Sequence, residues 1–282
     1  MLWLALWIGV LAIGAFGVVA SANSLRFSRR VAREVRQMWS DSVEPIGIHR
    51  RRFEELPGLV RDYATRAVGG RELAVQRVRL RHGGTFRPSL DGAWLPIRGE
   101  QYFVADPPGF VWWGRARIAP GLWIDARDRC VGGRGSMLVS AESSFTLADS
   151  AGPELDQGAL LRLLGEMAWF PTALLDDRYV AWTAVDERRA RATLRVDERE
   201  VTGVFEFGED GLPAAFFADR YRDLGGGKSA LTPFSGELTD YREVEGLLVP
   251  HQVTGHWHVG GQRIPYARFQ VERLEYEATG PF

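Results

Sequence analysis

The stretch Gly109 to Val131, GFVWWGRARIAPGLWIDARDRCV, reads as two β-strands joined by a turn. Ala119-Pro120-Gly121 supplies the turn chemistry, with runs of strand-like composition on either side. Residues two apart share one face of a strand. Arg115 and Arg117 therefore project together, and so do Arg127 and Arg129. Working outward, strand-like runs recur at short spacing: Ala93 to Ile97, Glu100 to Ala105 and Ser136 to Leu147. Asp91-Gly92, Asp106-Pro107-Pro108 and Gly132-Gly133 separate them. The pattern is a meander of hairpins.

The same period of two begins at Leu73, where Val75, Arg77, Arg79 and Arg81 alternate with Gln76, Val78, Leu80 and His82. Before it, Leu56 to Val68 has helical spacing, with Pro57 in its first turn and Gly69-Gly70 as the stop. A second helix is predicted over Pro153 to Ala168, where Leu155, Ala159, Leu160, Leu163, Leu164 and Met167 form an apolar stripe. Strands then resume from Tyr179 and continue to Glu277, with Gly-containing turns between them. So many hairpins do not fit a doubly wound fold. The expectation is a mainly β domain over residues 56–282: a curved antiparallel sheet, half-barrel or barrel-like, with one inserted helix covering an opening or a face.

The N-terminus reads differently. No side chain from Met1 to Leu25 is charged, and the core of this run, Leu2 to Ala22, would rise roughly 31 Å as a helix, about the thickness of a hydrocarbon core. The expectation is a single-pass transmembrane helix over residues 1–25, with Trp3 and Trp7 near one interface. Ala20-Ser21-Ala22 resembles a signal-peptide cleavage site, but a basic leader is missing and the apolar run is long. A basic juxtamembrane helix and linker follows over residues 26–55. By the positive-inside rule, Arg26, Arg29, Arg30, Arg33 and Arg36 place the C-terminal domain in the cytoplasm. Phe27, Val31, Val35 and Met38 make one apolar stripe there.

Composition excludes several classes. The net charge of −1 provides no field for nucleic acid. A lone cysteine, Cys130, allows neither an internal disulfide nor a thiolate metal cluster, and it reads as a small buried hydrophobe. Gly225-Gly226-Gly227-Lys228-Ser229 lacks the first glycine of a phosphate loop and lies between strands. No cofactor motif is present, and no catalytic residue is assigned.

Several blocks occur in order along the chain. They are Glu100-Gln101-Tyr102-Phe103-Val104-Ala105-Asp106-Pro107-Pro108-Gly109-Phe110-Val111-Trp112, then Arg115-Ala116-Arg117-Ile118-Ala119-Pro120-Gly121-Leu122, Arg127-Asp128 and Val131-Gly132-Gly133-Arg134-Gly135. Glu154-Leu155-Asp156-Gln157-Gly158, Trp169-Phe170-Pro171-Thr172-Ala173, Asp219-Arg220-Tyr221-Arg222 and Asp240-Tyr241-Arg242-Glu243-Val244-Glu245-Gly246 follow. Together these resemble an uncharacterised bacterial family of unknown function, across roughly Leu56 to Tyr276. The resemblance implies a shape similar to the curved sheets of bacterial lipoprotein carriers and carries over no activity. Where the family pattern has an aromatic after Arg129, this chain has Cys130.

Four groups are candidate sites. Arg115, Arg117, Arg127 and Arg129 form either a basic patch for a phosphate or carboxylate headgroup or a solvated outer face balanced by Asp125 and Asp128. Glu154, Asp156, Gln157 and Glu166, with Trp169, line a cavity mouth or merely partner a helix dipole. His256 and His258 share a strand face, read as a surface pair ahead of a metal site. The aromatics, Trp112 and Trp113 among them, line an apolar cavity or fill a core. The expected ligand-binding set is Arg115, Arg117, Arg127, Trp112, Trp113, Trp169 and Glu154. The expected function is noncatalytic binding of a lipid or other apolar small molecule by a membrane-anchored domain, with the membrane as partner. The alternatives are a protein-interaction or structural role and a hydrolase using carboxylates.

Overall fold

The period-two runs pair with their sequence neighbours, because short turns leave adjacent antiparallel strands little other choice. The computed structural model describes the backbone of residues 2–282, and the side chains of all of these except 2, 4–6, 8–13, 15 and 16. Among the described residues, thirteen strands form one antiparallel sheet. They are β1 (Arg77–Phe86), β2 (Leu95–Ala105), β3 (Pro108–Ala119), β4 (Leu122–Val131), β5 (Arg134–Ala141) and β6 (Phe145–Ala151). After the helices come β7 (Val180–Ala184), β8 (Arg189–Val196), β9 (Arg199–Phe207), β10 (Pro213–Gly225), β11 (Lys228–Val244), β12 (Leu247–Val259) and β13 (Gln262–Tyr276). The order across the sheet is β6-β5-β4-β3-β2-β1-β13-β12-β11-β10-β9-β8-β7. Two runs differ from expectation. Residues 93–97 and 100–105 join into the single strand β2. The run Ser136 to Leu147 is a hairpin instead of one strand, turning at Glu142 and Ser143 with φ of 50° and 53°. Neither residue is a usual left-handed turn former, so the turn left no local signal.

The sheet does not close, because β6 and β7 are its two free edges. The chain between them must cross from one edge to the other, and it does so as α3 (Pro153–Glu166) and α4 (Pro171–Leu174). Helix α3 touches β4 and β5 on one side and β8, β9 and β10 on the other. Strands far apart in the order thus meet one helix, so the sheet curls around it. Asp156 fixes where the helix starts. Its Oδ1 accepts the Gly135 N–H at 2.7 Å and its Oδ2 pairs with Arg199 at 3.1 Å. A Cβ on Gly135 would lie 2.3 Å from the Leu155 carbonyl oxygen, so only glycine lets α3 sit this close to β5. The buried face of α3, with Leu160, Leu163 and Leu164, joins the main core. Helix α2 (Gly58–Val68) adds Val60, Tyr63, Ala67 and Val68 to that core, packed on β12.

Helix α1 (Leu2–Ser40) does not end where the apolar run ends. Its stripe of Phe27, Val31, Val35, Met38 and Trp39 is buried on the convex face of the sheet, against Tyr102, Val104, Val111 and Leu138. Trp39 donates Nε1–H to the Phe103 carbonyl at 2.9 Å. Arg26, Arg29, Arg30, Arg33 and Arg36 are exposed on the other side of the helix. This corrects the expected single-pass localisation. Among the described residues no helix is long and apolar enough to cross a membrane. Much of the expected 1–25 span lies outside the described side chains. The cytoplasmic side inferred from the arginines falls with it, and the apolar stripe faces protein.

Trp39 is the anchor of this second, smaller core, edge-on to Tyr102 at 5.9 Å. Trp39→Ala is expected to cost about 3–5 kcal/mol in urea denaturation. The exposed Arg29→Ala is expected to change stability by less than about 0.5 kcal/mol. Equal effects would mean that α1 is not part of the folded unit.

Candidate functional site

Where the sheet curls around α3, the two do not fill the space between them. A cavity of about 480 Å³ remains, of the size that holds small ligands. Its walls are apolar: Ile97, Trp112, Ala116, Ile124 and Met137 on one side, and Phe234, Leu238 and Val253 on the other, with Leu161, Ala168 and Trp169 above. Several of these side chains, Ile124, Met137, Phe234 and Val253 among them, are only half-buried despite facing inward. Each keeps apolar surface that no protein group covers, in contrast to the close packing of a finished core. Exposed Pro88 and Asp223 also line the cavity and mark where it meets solvent.

One polar cluster interrupts this lining. Arg162 projects from α3 in the midst of leucines. Its Nε donates to Glu166 at 2.9 Å, one terminal nitrogen to Asp128 at 2.8 Å, and the other to the Gln101 side-chain oxygen at 3.2 Å. Gln101 in turn donates to Glu166 at 2.5 Å. The guanidinium lies over Phe110 and Trp112, at 5.0 and 4.9 Å from the ring centroids. Burial works against the Arg162 charge, yet Glu166 and Asp128 hold its pKa above the ordinary value. Burial raises the Glu166 carboxyl, and Arg162 opposes the rise. Behind the wall, Trp112 donates Nε1–H to His82 Nε2 at 2.8 Å, and His82 packs on Phe269 at 4.4 Å. Burial pushes the Cys130 thiol up to about 12, with Asp128 and Asp156 adding to it, so it stays protonated near neutral pH.

The structure divides the sequence candidates between two faces. Trp112 and Trp169 line the cavity, and Trp169 also donates Nε1–H to the Pro250 carbonyl at 2.9 Å. Trp113, Arg115, Arg117 and Arg127 belong to the opposite, convex face by strand alternation. Arg115 pairs there with fully buried Asp125 at 2.8 Å and reaches Ser24 of α1 at 2.7 Å. Arg127 donates to Ser136 at 2.6 Å and meets Glu34 of α1 at 3.3 Å, an ion pair short of hydrogen-bond geometry. Glu154 accepts a hydrogen bond from Ser229. The acids of the helix segment are dispersed: Asp156 holds β5 and β9, while Glu166 faces Arg162. His258 bonds Ser235 at 2.9 Å, and His256 lies 3.9 Å from Glu237.

The sequence reading did not single out Asp128 and Arg162 as cavity residues, nor Gln101 as their hydrogen-bond partner. Two signals were available. Asp128 shares strand parity with Ile124, Ala126 and Cys130, and Arg162 breaks the apolar stripe of its helix.

A model of a family of unknown function, DUF6544, matches residues 47–269. No curated protein matches the chain. Among solved structures, the chain is similar to a putative outer membrane lipoprotein-sorting protein domain from Vibrio parahaemolyticus, at 9% identity and a TM-score of 0.40 over 80% of this chain and 94% of that one. A LolA superfamily protein from Nitrosomonas europaea gives 8% identity and a TM-score of 0.36, over 78% and 92%. A β-barrel-like protein of unknown function, DUF1849, from Brucella abortus gives 10% and 0.26, over 73% and 99%. The family of unknown function expected from the sequence blocks is found.

Burial, then the Arg162 charge, lowers His82 from 6.5 to about 3, so it stays neutral in the fold. In the unfolded chain it takes a proton below about 6.5. The unfolded state therefore binds more protons within this window, and stability falls as pH drops through it, by up to about 1.4 kcal/mol per pH unit. His82→Gln keeps an acceptor for Trp112 and removes that slope. Urea midpoints from pH 7 to 4 should fall more steeply for the native protein than for the variant, and parallel curves would exclude the buried neutral imidazole.

Proposed function

The chain belongs to DUF6544, a family of unknown function, and we propose that it is a noncatalytic binding domain for a lipid or other apolar small molecule. The observation that carries this reading is the cavity of about 480 Å³ between α3 and the concave face of the sheet. Burying apolar surface releases roughly 25 cal/mol per Å². A pocket lined by half-buried Ile124, Met137, Phe234 and Val253 therefore has free energy to gain from an apolar guest. The hydrogen-bonded polar cluster around Arg162, set in a mostly apolar lining, matches the usual division of a ligand site into an apolar body and orienting polar groups.

The reading is tested on the full chain. Organic extraction and native mass spectrometry of the purified protein are expected to reveal a co-purifying amphiphile. The neutral fluorophore N-phenyl-1-naphthylamine is expected to bind and brighten. Gly236 lines the cavity, and a Cβ added there meets only the Phe234 ring, at 3.9 Å. Gly236→Leu should thus fill the cavity without displacing backbone. It is expected to weaken fluorophore binding about tenfold, roughly 1.4 kcal/mol, with little change in the urea midpoint. No extracted amphiphile, together with unchanged fluorophore binding in the variant, would rule the reading out.

A further inference from the structure

The polar cluster specifies which end-group the cavity accepts. Arg162 gives three of its five N–H donors to neighbours, one each to Asp128, Glu166 and Gln101. Its guanidinium lies over Phe110 and Trp112. A ligand carboxylate or phosphate approaching it would also approach two carboxylates. Across the whole lining, three carboxylates (Asp128, Glu166 and Asp223) stand against two guanidiniums. The second guanidinium, Arg220, lies over the Phe234 ring at 4.7 Å and donates one hydrogen bond, to the Gly158 carbonyl at 3.1 Å, while its Nε is buried without a partner among the described residues.

What the cluster does leave open is an acceptor. Asp128 is more than nine-tenths buried and lines the cavity. Its Oδ2 accepts from Arg162, while its Oδ1 has no hydrogen-bond donor among the described residues. A buried carboxylate oxygen with an unused lone pair is stabilised by an incoming O–H or N–H, and it repels an incoming anion.

We infer that the cavity selects amphiphiles whose polar end is a hydrogen-bond donor without negative charge, a hydroxyl or an ammonium, received by Asp128 beside Arg162. This rests on the binding reading above and adds the head-group class. The position of the cluster fits that role. Asp128 and Arg162 sit where β4 meets α3 and border a mostly apolar lining, so a chain lies along the aliphatic wall while its head meets the unused Asp128 oxygen.

The test uses four ligands with one twelve-carbon chain, below their micellar concentrations, titrated into the full-length native protein by calorimetry. They are 1-monolauroylglycerol, dodecylamine, dodecanoate and dodecyl phosphate. The hydroxyl and amine ligands are expected to bind at least about tenfold more tightly than the two anions. Dodecanoate or dodecyl phosphate binding as tightly as monolauroylglycerol would overturn the head-group assignment and leave the binding function standing. Binding by none of the four would remove both. Asp128→Asn, close in size, is expected to narrow the gap between dodecanoate and monolauroylglycerol at least about threefold. Gly236→Leu, distant in chemistry from the cluster, is expected to weaken all four alike. If Asp128→Asn does not fold, the native ligand series alone decides.

Discussion

An open sheet whose two edge strands are consecutive in the chain imposes one crossing, and the rest of the architecture follows from it. Strands β6 and β7 lie at opposite ends of the sheet order, and only α3 and the short turns after it join them. A strand edge is costly to leave near apolar surface, and a helix laid across the concave side covers that surface without offering a new edge. Asp156 and Gly135 hold the start of α3 against β5, so the helix position is set at one end by hydrogen bonding and close contact. Its far end is governed by Trp169 and Phe170, which pack on Phe103. The crossing fixes the sheet curvature, and the curvature leaves the cavity.

The two faces of the sheet solve different problems. On the convex face, α1 covers Tyr102, Val104 and Val111, and the charged groups beneath it are tied into protein pairs. Arg115, Asp125 and Ser24 form one such knot, and Arg127, Glu34 and Ser136 another. Buried pairs of this kind do little for net stability, but each charge needs its partner once the helix is down. On the concave face the Asp128–Arg162–Glu166 cluster has no such covering element beyond α3 itself, and it borders the cavity.

Arg162 illustrates how a helix reconciles the two demands. Leu160, Leu163 and Leu164 commit α3 to the core, yet one position of the same helix must bear a charge where the leucines are buried. Two carboxylates and an amide from β2, β4 and the next turn of the helix supply its hydrogen bonds. Asp128 comes from the same strand as Cys130, whose thiol is held protonated by burial. The strand alternates between faces, so a residue on either side of Asp128 points to the α1 interface instead.

The period-two runs, the hairpin turns, the helix beginning at Pro153 and the stripe from Phe27 to Met38 were all legible in the sequence, because each depends on neighbours within a few residues. Curvature was legible in kind, from the number of consecutive hairpins. What the stripe faces was not legible, since an apolar helix surface looks the same to lipid and to a β-sheet. The split of Arg115 and Arg127 from Trp112 and Trp169 onto opposite faces required the pairing register and the identity of the concave side. The hairpin at Glu142 and Ser143 gave no warning, because tertiary pairing imposed its left-handed backbone on residues that do not prefer it. The cavity and its Asp128–Arg162 cluster belong to the tertiary structure alone. They join β4 to α3 across more than thirty residues of chain, and only the curl of the sheet decides that the space between them stays unfilled.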